Sequence, residues 1–342
     1  MTKTETLYYR PIAMTDSSRS GGALDLAGGW CWFDRVEVLA RTGSQGVFSA
    51  SDLPGDVRER LCSPRPDLMG LPPDRPLIMG ILNVTPDSFS DGGRFAEPDL
   101  ALTHARGMAS SGADILDIGG ESTRPGAADV SIDQEIERTA PIIATLRAGG
   151  FSLPISIDTR KAGVAEAAIH AGADMVNDVA AFGYDASLAE LVASKGVPVC
   201  LMHAQGAPAT MQIDPKYDNV LLDIYDYLAE KIVQAESAGI ARNRIIVDPG
   251  IGFGKTVAHN LALMRGLSLF HGLGCRVLLG ASRKRFIGTL SGTDAADQRG
   301  PGSLAMTLAG AAQGVQLHRV HDIRETKQAL RLWQAVTRGG EK

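Results

Sequence analysis

The sequence predicts an α/β fold, a TIM-type (β/α)8 barrel with a small N-terminal extension, and three observations predict it. From residue 77 onward, short apolar, β-branched runs alternate with longer Ala-rich segments of helical composition, the pattern of βα units and a parallel sheet. Eight such runs can be counted, at 77–84, 115–121, 155–159, 175–179, 199–203, 245–249, 277–282 and 315–322. Nearly every one is apolar along its length and then ends in polar residues or glycine: Asn83, Gly120 with Glu121, Asp158, Asn177 with Asp178, His203, Asp248, Ser282, and Arg319 with His321. Parallel strands covered on both faces are apolar in this way, and the C-terminal strand ends of a (β/α)8 barrel build its active site. A doubly wound sheet also ends its strands at a crevice, but does not recruit all eight.

The 342 residues are 44% hydrophobic and 21% charged with a formal net charge of −5, the composition of a globular protein and not of a disordered or fibrous chain. No run approaches the roughly 18 apolar residues of a membrane span, and the start, MTKTE, has no apolar signal core. A cytoplasmic protein without a membrane partner is expected. Cys31, Cys62, Cys200 and Cys275 are widely separated, which predicts reduced, mostly buried thiols and no structural zinc. No basic cluster is longer than SRKR at 282–285, so no nucleic-acid partner is expected and any anion must be held by a local site.

In chain order, residues 1–75 come first and read differently from the barrel at 76–342. They hold Tyr8, Tyr9, Trp30, Trp32, Phe33 and Phe48, too aromatic for a disordered tail. Residues 30–39 have strand composition and 52–61 suit a short helix, before Pro64, Pro66, Pro72 and Pro73 punctuate the approach to the first barrel strand. A small appendage packed on the barrel is expected, with no function named by its residues. Within the barrel, the small-residue stops SGAD at 111–114, AGAD at 171–174 and AQG at 312–314 precede strands, where glycine takes the left-handed helix cap.

The chemistry gathers at the strand ends. The first strand runs into NVTPDSFSDGG at 83–93, a loop dense in oxygen donors and glycine, and the second into GGESTRPG at 119–126, where Arg124 suits a carboxylate or phosphate. Asp158, Asn177 and Asp248 lie in the barrel mouth, where they are costly to desolvate without partners. A metal cluster is one solution, although Asn suits zinc poorly and the histidines lack metal spacing. A flat heterocycle with several N–H donors, such as an aminopyrimidine, is the better one, with Lys284 serving its acceptors. The stretch DPGIGFGKT at 248–256 invites a phosphate-loop reading, but its Gly-Lys pair arrives one residue early, so its glycines are expected to let backbone approach a ligand while Phe253 packs. Arg319 and His321 alternate on the last strand and, with Asn83 across the seam, suit a diphosphate. His203 and His318 are expected to be ordinary hydrogen-bonded histidines.

The stretch LIMGILNVTPDSFSDGG at 77–93 resembles the signature of dihydropteroate synthases, as do DIGGESTRPG at 117–126, VND at 176–178, LMH at 201–203, DPG at 248–250, SRK at 282–284 and RVHD at 319–322. That family joins 6-hydroxymethyl-7,8-dihydropterin diphosphate to 4-aminobenzoate, releases diphosphate, supplies folate synthesis and is the sulfonamide target. The resemblance implies that Asp158, Asn177, Asp248 and Lys284 hold the pterin with Met202 packed against it, and that Asn83, Arg319 and His321 hold the diphosphate. It further implies Mg²⁺ reached by Asn83 and Asp91, a 4-aminobenzoate site of Phe89, Thr123, Arg124, Pro125, Phe253 and Ser282, catalytic parts for Asp158, Lys284, Asp91, Arg319 and His321, and a homodimer formed through helices far from the mouth. The chain departs from the family at Ala204, where many members have Met, and at Arg160-Lys161, which adds positive charge near the mouth. A pterin-binding methyltransferase domain, a non-catalytic pterin-binding paralogue and a sugar-phosphate barrel enzyme are the rivals. The first has no need of Asp91, SRK or RVH, the second is expected to lose a loop or diphosphate residue, and the third leaves the first loop unexplained.

Overall fold

The computed structural model describes residues 5–84, 97–122, 129–206 and 210–337. The chain enters through β1 (Tyr8–Pro11), β2 (Leu24–Asp25), β3 (Trp32–Phe33), β4 (Arg35–Ala40) and β5 (Gly43–Ser49), followed by helix α1 (Gly55–Cys62). β1, β4 and β5 make an antiparallel sheet with β4 in the centre, and β2 pairs with β3. The stretch 30–39 is therefore two short strands and not one. The helix expected over 52–61 begins only at Gly55, because Pro54 stands at its N-cap. β5, GSQGVFS, has no apolar alternation and is exposed nearly throughout; β4 makes it a strand by offering a ladder partner.

Then follow β6 (Leu77–Asn83), α2 (Glu97–Ser110), β7 (Ile115–Gly119), α3 (Ile132–Ala148), β8 (Ile155–Asp158), α4 (Ala162–Ala171), β9 (Met175–Asp178), α5 (Ser187–Lys195), β10 (Val199–Met202), α6 (Val220–Ser237), β11 (Ile245–Asp248), α7 (Val257–Arg265), β12 (Arg276–Leu279), α8 (Arg285–Ser291), α9 (Gly300–Ala311), β13 (Leu317–Val320) and α10 (Ile323–Thr337). β6 to β13 close into a parallel barrel in sequence order, with β13 paired to β6. All eight expected strands are present, each ending slightly before its predicted limit as the polar terminus peels into a loop. Gly112, Gly172 and Gly314 take the left-handed conformation at their helix stops.

Alternation along the strands divides the barrel into two cores. Outward residues such as Ile78, Leu116, Ile157, Val176 and Leu201 pack under the helices. Inward residues Leu77, Met79, Ile115, Met175, Cys200, Ile246, Leu278 and Leu317 fill the lower interior, and Leu68 of the extension joins them. The N-terminal segment thus closes the barrel floor from below. It has its own small core around Trp30, Cys31, Phe33, Val57 and Leu61, and it is fastened to the barrel by polar groups: Trp30 Nε1 donates to Ala311 O at 2.7 Å, Ser268 Oγ to Pro11 O at 2.7 Å and Tyr8 Oη to Asp226 at 2.8 Å. Arg65, 5% exposed, donates to four backbone carbonyls, those of Arg60, Ser63, His271 and Cys275. The four cysteines are free thiols, three of them buried. Among the described residues, no helix is long and apolar enough to cross a membrane.

Candidate active site

Above the apolar floor the inward positions turn polar within one strand pitch, except at β10, where Met202 stays apolar. β7 supplies Asp117, β8 Asp158, β9 Asn177, β10 Met202, β11 Asp248 and β13 Arg319. Arg319 binds the first two together: its Nε donates to Asp117 Oδ2 at 2.6 Å and its Nη2 to Asp158 Oδ2 at 2.6 Å. Asn177 Nδ2 donates to the same Asp117 oxygen at 3.1 Å. Asp117 is fully buried, and its Oδ1 has no protein hydrogen-bond partner.

Electrostatics follow from this crowding. Burial raises the Asp158 carboxyl, Arg319 pulls it back, and the Asp117 charge pushes it up again, to about 7. Asp248 is raised to about 6 by burial, opposed by the N–H of Gly250, 2.7 Å from its Oδ1, and by the charges of Lys284, Lys255 and Arg319. Asp178, on the outward side of β9, is raised to about 6 by burial while it accepts from the N–H groups of Ala180 and Phe182, so it holds a turn and does not face the mouth.

Lys284 caps the start of α8, with its Nζ 3.8 Å from the centre of the Phe253 ring. Gly252 makes this approach possible, since a Cβ there would lie 3.0 Å from Lys284 Cδ. Ser282, Arg283 and Lys284 form a tight turn in which Arg283 has φ 58°, held by an ion pair with Asp322 and by its N–H donating to Ser303 Oγ at 2.8 Å. The turn carries Ser282 to His321, with Oγ and Nδ1 3.0 Å apart. Arg319 lies against the carboxylates, and His321, two positions further on the same side of the chain, joins Ser282. Asn83 ends β6 in register with Gly119, where a Cβ would come within 3.7 Å of Asn83 Oδ1 and 3.6 Å of Asp158 Oδ2.

Of the other expected site residues, Phe89, Asp91, Thr123, Arg124 and Pro125 lie outside the described residues. The expectation of added positive charge at Arg160-Lys161 is corrected. Arg160 Nε is 3.1 Å from Glu121 and its Nη2 3.0 Å from Asp129, and Lys161 Nζ is 3.1 Å from Glu121 and 2.7 Å from Glu135. Both cations are neutralised inside the structure. His203 and His318 are hydrogen-bonded as expected, to Lys255 and to Val315 O, and burial lowers them to about 3 and about 4, so they are neutral. The structure adds Asp117 and Lys255 to the residues that the sequence places at the site. Asp117 had a legible signal, a carboxylate in the middle of the apolar strand ILDIG.

A sequence profile described as pterin binding enzyme matches residues 79–321. Dihydropteroate synthase of Escherichia coli strain K12 is 45% identical over 261 residues, covering 76% of this chain and 92% of that protein. A structure of Xanthomonas albilineans dihydropteroate synthase with 4-aminobenzoic acid superposes with a TM-score of 0.74 at 47% identity, covering 79% of this chain and 97% of the other. A Yersinia pestis dihydropteroate synthase in a sulfonamide drug complex gives a TM-score of 0.74 at 46% identity, covering 78% and 96%. Similarity of this depth over nearly the whole length of its relatives shows that the chain belongs to the pterin binding enzyme family and, within it, to the dihydropteroate synthases.

Proposed function

We propose that this protein condenses 6-hydroxymethyl-7,8-dihydropterin diphosphate with 4-aminobenzoate to give 7,8-dihydropteroate and diphosphate, as a transferase of folate biosynthesis. The polar layer of Asp117, Asp158, Asn177, Asp248 and Arg319 on an apolar barrel floor carries the reading, because it offers carboxylate and amide acceptors to a flat ring with several N–H donors. Asp248 accepts from the aminopyrimidine edge and Asn177 completes that edge. Lys284 donates to the ring acceptors and Met202 packs on its face. The exocyclic C–O bond then breaks, its electron pair leaves with diphosphate, and the positive charge spread from the methylene into the ring is stabilised by the Asp158 carboxylate.

Arg319 has Nε and Nη2 engaged by the carboxylates, so Nη1 is the edge it turns to the leaving group, with His321 and Asn83 beside it. The arylamine is a free nucleophile at neutral pH. Its nitrogen forms the new C–N bond and loses a proton, which needs no strong base, and Phe253 and Ser282 with Phe89, Thr123, Arg124 and Pro125 shape its site. Asn83 Oδ1 lies by Gly119 at the end of β6, an uncharged oxygen donor of the kind a hard cation takes. Asn83 and Asp91 would hold Mg²⁺, which supplies charge neutralisation of the diphosphate when bound.

We further infer two domains, an extension at 1–75 that seals the floor and a catalytic barrel at 76–342. A homodimer in the cytoplasm is our reading, and its pairing is supported by Leu290, Leu332 and Val336, large apolar side chains exposed on α8 and α10. Diphosphate release that depends on 4-aminobenzoate, with Mg²⁺ present and a sulfonamide competing with the amine, tests the function. Pterin binding without release at saturating amine overturns it in favour of a binding paralogue.

A further inference from the structure

Lys255 takes no part in the reaction described above, yet it is 4% exposed and lies beneath the mouth. Its Nζ contacts three acceptors: His203 Nδ1 at 3.0 Å, Phe253 O at 2.9 Å and His203 O at 3.4 Å. Two belong to the loop after β10 and one to the loop after β11. No carboxylate lies within ion-pair distance of it among the described residues. A buried lysine served only by neutral acceptors is costly to charge, and burial lowers it to about 7; charged or neutral, its nitrogen still donates hydrogen bonds, whereas a side chain needed merely to fill the space would be apolar.

The two loops are built to meet at this nitrogen. Gly250, at φ +68°, comes so near that a Cβ would lie 1.9 Å from His203 O, and Gly254, at φ +60°, would place one 2.6 Å from Gln205 O. Tyr217 Oη donates to Gly254 O at 2.8 Å, and the His203 ring is set edge-on against Tyr227 with centroids 4.8 Å apart. The carbonyl that Lys255 holds belongs to Phe253, whose ring lies under the Lys284 ammonium.

We propose that Lys255 is a positioning residue for the arylamine half of the site: by holding the Phe253 carbonyl against His203 it fixes the loop that carries the Phe253 ring. This rests on the assignment of Phe253 to the 4-aminobenzoate site. The pterin half feels Lys255 only through its charge, one of three that favour the Asp248 carboxylate, whereas the place of Asp248 is set by its own strand and by the Gly250 N–H. The effect of losing the ammonium therefore falls unequally on the two substrates.

The test compares Lys255→Met and Lys255→Gln, equal to each other in length and one bond shorter than lysine, which offer no donors and two donors. Steady-state kinetics should show the KM for 4-aminobenzoate raised at least tenfold in K255M and by a smaller factor in K255Q, with the KM for the pterin diphosphate within threefold of wild type. Amide exchange measured without substrates should be faster over 252–256 in K255M, with the Gly250 amide unchanged. Equal effects on both substrates, or identical behaviour of the Met and Gln variants, overturn the proposal, as does unchanged exchange. A wild-type protein that forms no dihydropteroate overturns the functional reading instead, while the exchange measurement still decides whether Lys255 holds the loop.

Discussion

Arg319 Nε donates to Asp117 Oδ2 at 2.6 Å, joining β13 to β7 across 202 residues of sequence. Because the same guanidinium also serves Asp158, one cation is shared between two buried carboxylates. The site therefore keeps carboxylate acceptors that one guanidinium does not fully occupy, which favours an N–H-rich ring.

Asp117→Asn tests this arrangement. Replacing the buried carboxylate that pairs with Arg319 by a neutral amide should lower stability by about 1–3 kcal/mol in urea unfolding. Asp158 is held up partly by the Asp117 charge, so the substitution lowers the Asp158 pKa. The carboxylate form of Asp158 then persists to lower pH, and the acid limb of the rate profile moves down. An acid limb that stays in place, or moves up, removes Asp117 from the charge balance of the site.

A second pH effect belongs to Asp248. Its raised value of about 6 means that the carboxylate needed to accept the pterin N–H groups is complete well above that pH and is lost as pH falls through it. Affinity for a bare pterin, measured by calorimetry, should fall by up to about tenfold per pH unit below about 6, since one protonation opposes binding. Affinity that is flat between pH 7 and 5 would exclude Asp248 as the acceptor.

The floor gives a prediction of the opposite kind. Leu68 is 2% exposed and belongs to the lower barrel core although it comes from the extension. Leu68→Ala should cost about 2–5 kcal/mol of stability, as for other buried leucines, while both KM values and kcat remain near those of wild type. A selective change in substrate KM without a loss in thermal stability would show that the extension reaches the chemistry.

How far the sequence could be read depended on what each residue's signal consists of. Strands β6 to β13 were legible because burial on both faces leaves an uninterrupted apolar run, and Asp158, Asn177 and Asp248 because they end such runs. β5 was not, since its strand state comes from the partner β4 and not from its own composition. The pair Arg160-Lys161 was misjudged for a related reason: a sequence shows a charge but not its neutraliser, and Glu121, Asp129 and Glu135 reach these cations only through the fold. Lys255 carries no signal of its own in the sequence, because the glycines around it read as backbone freedom and only the fold shows that the close approach they allow serves a buried amine.

That close approach can be tested directly at Gly250. Its φ of +68° is one that L residues with a side chain rarely adopt, and a Cβ would stand 1.9 Å from the His203 carbonyl oxygen and 3.3 Å from Lys255 Nζ. The backbone oxygen cannot move aside as a flexible side-chain end would, because the His203 N–H is itself bonded to Asp248 O at 3.0 Å. Gly250→Ala should therefore push the loop after β11 away from that after β10, at a cost of at least about 1–3 kcal/mol for the strained backbone alone. Asp248 also depends on the Gly250 N–H, so pterin affinity should fall together with arylamine affinity, in contrast to the selective loss expected at Lys255. A G250A protein with wild-type pterin affinity by calorimetry would show that the loop relaxes without carrying the Asp248 carboxylate with it.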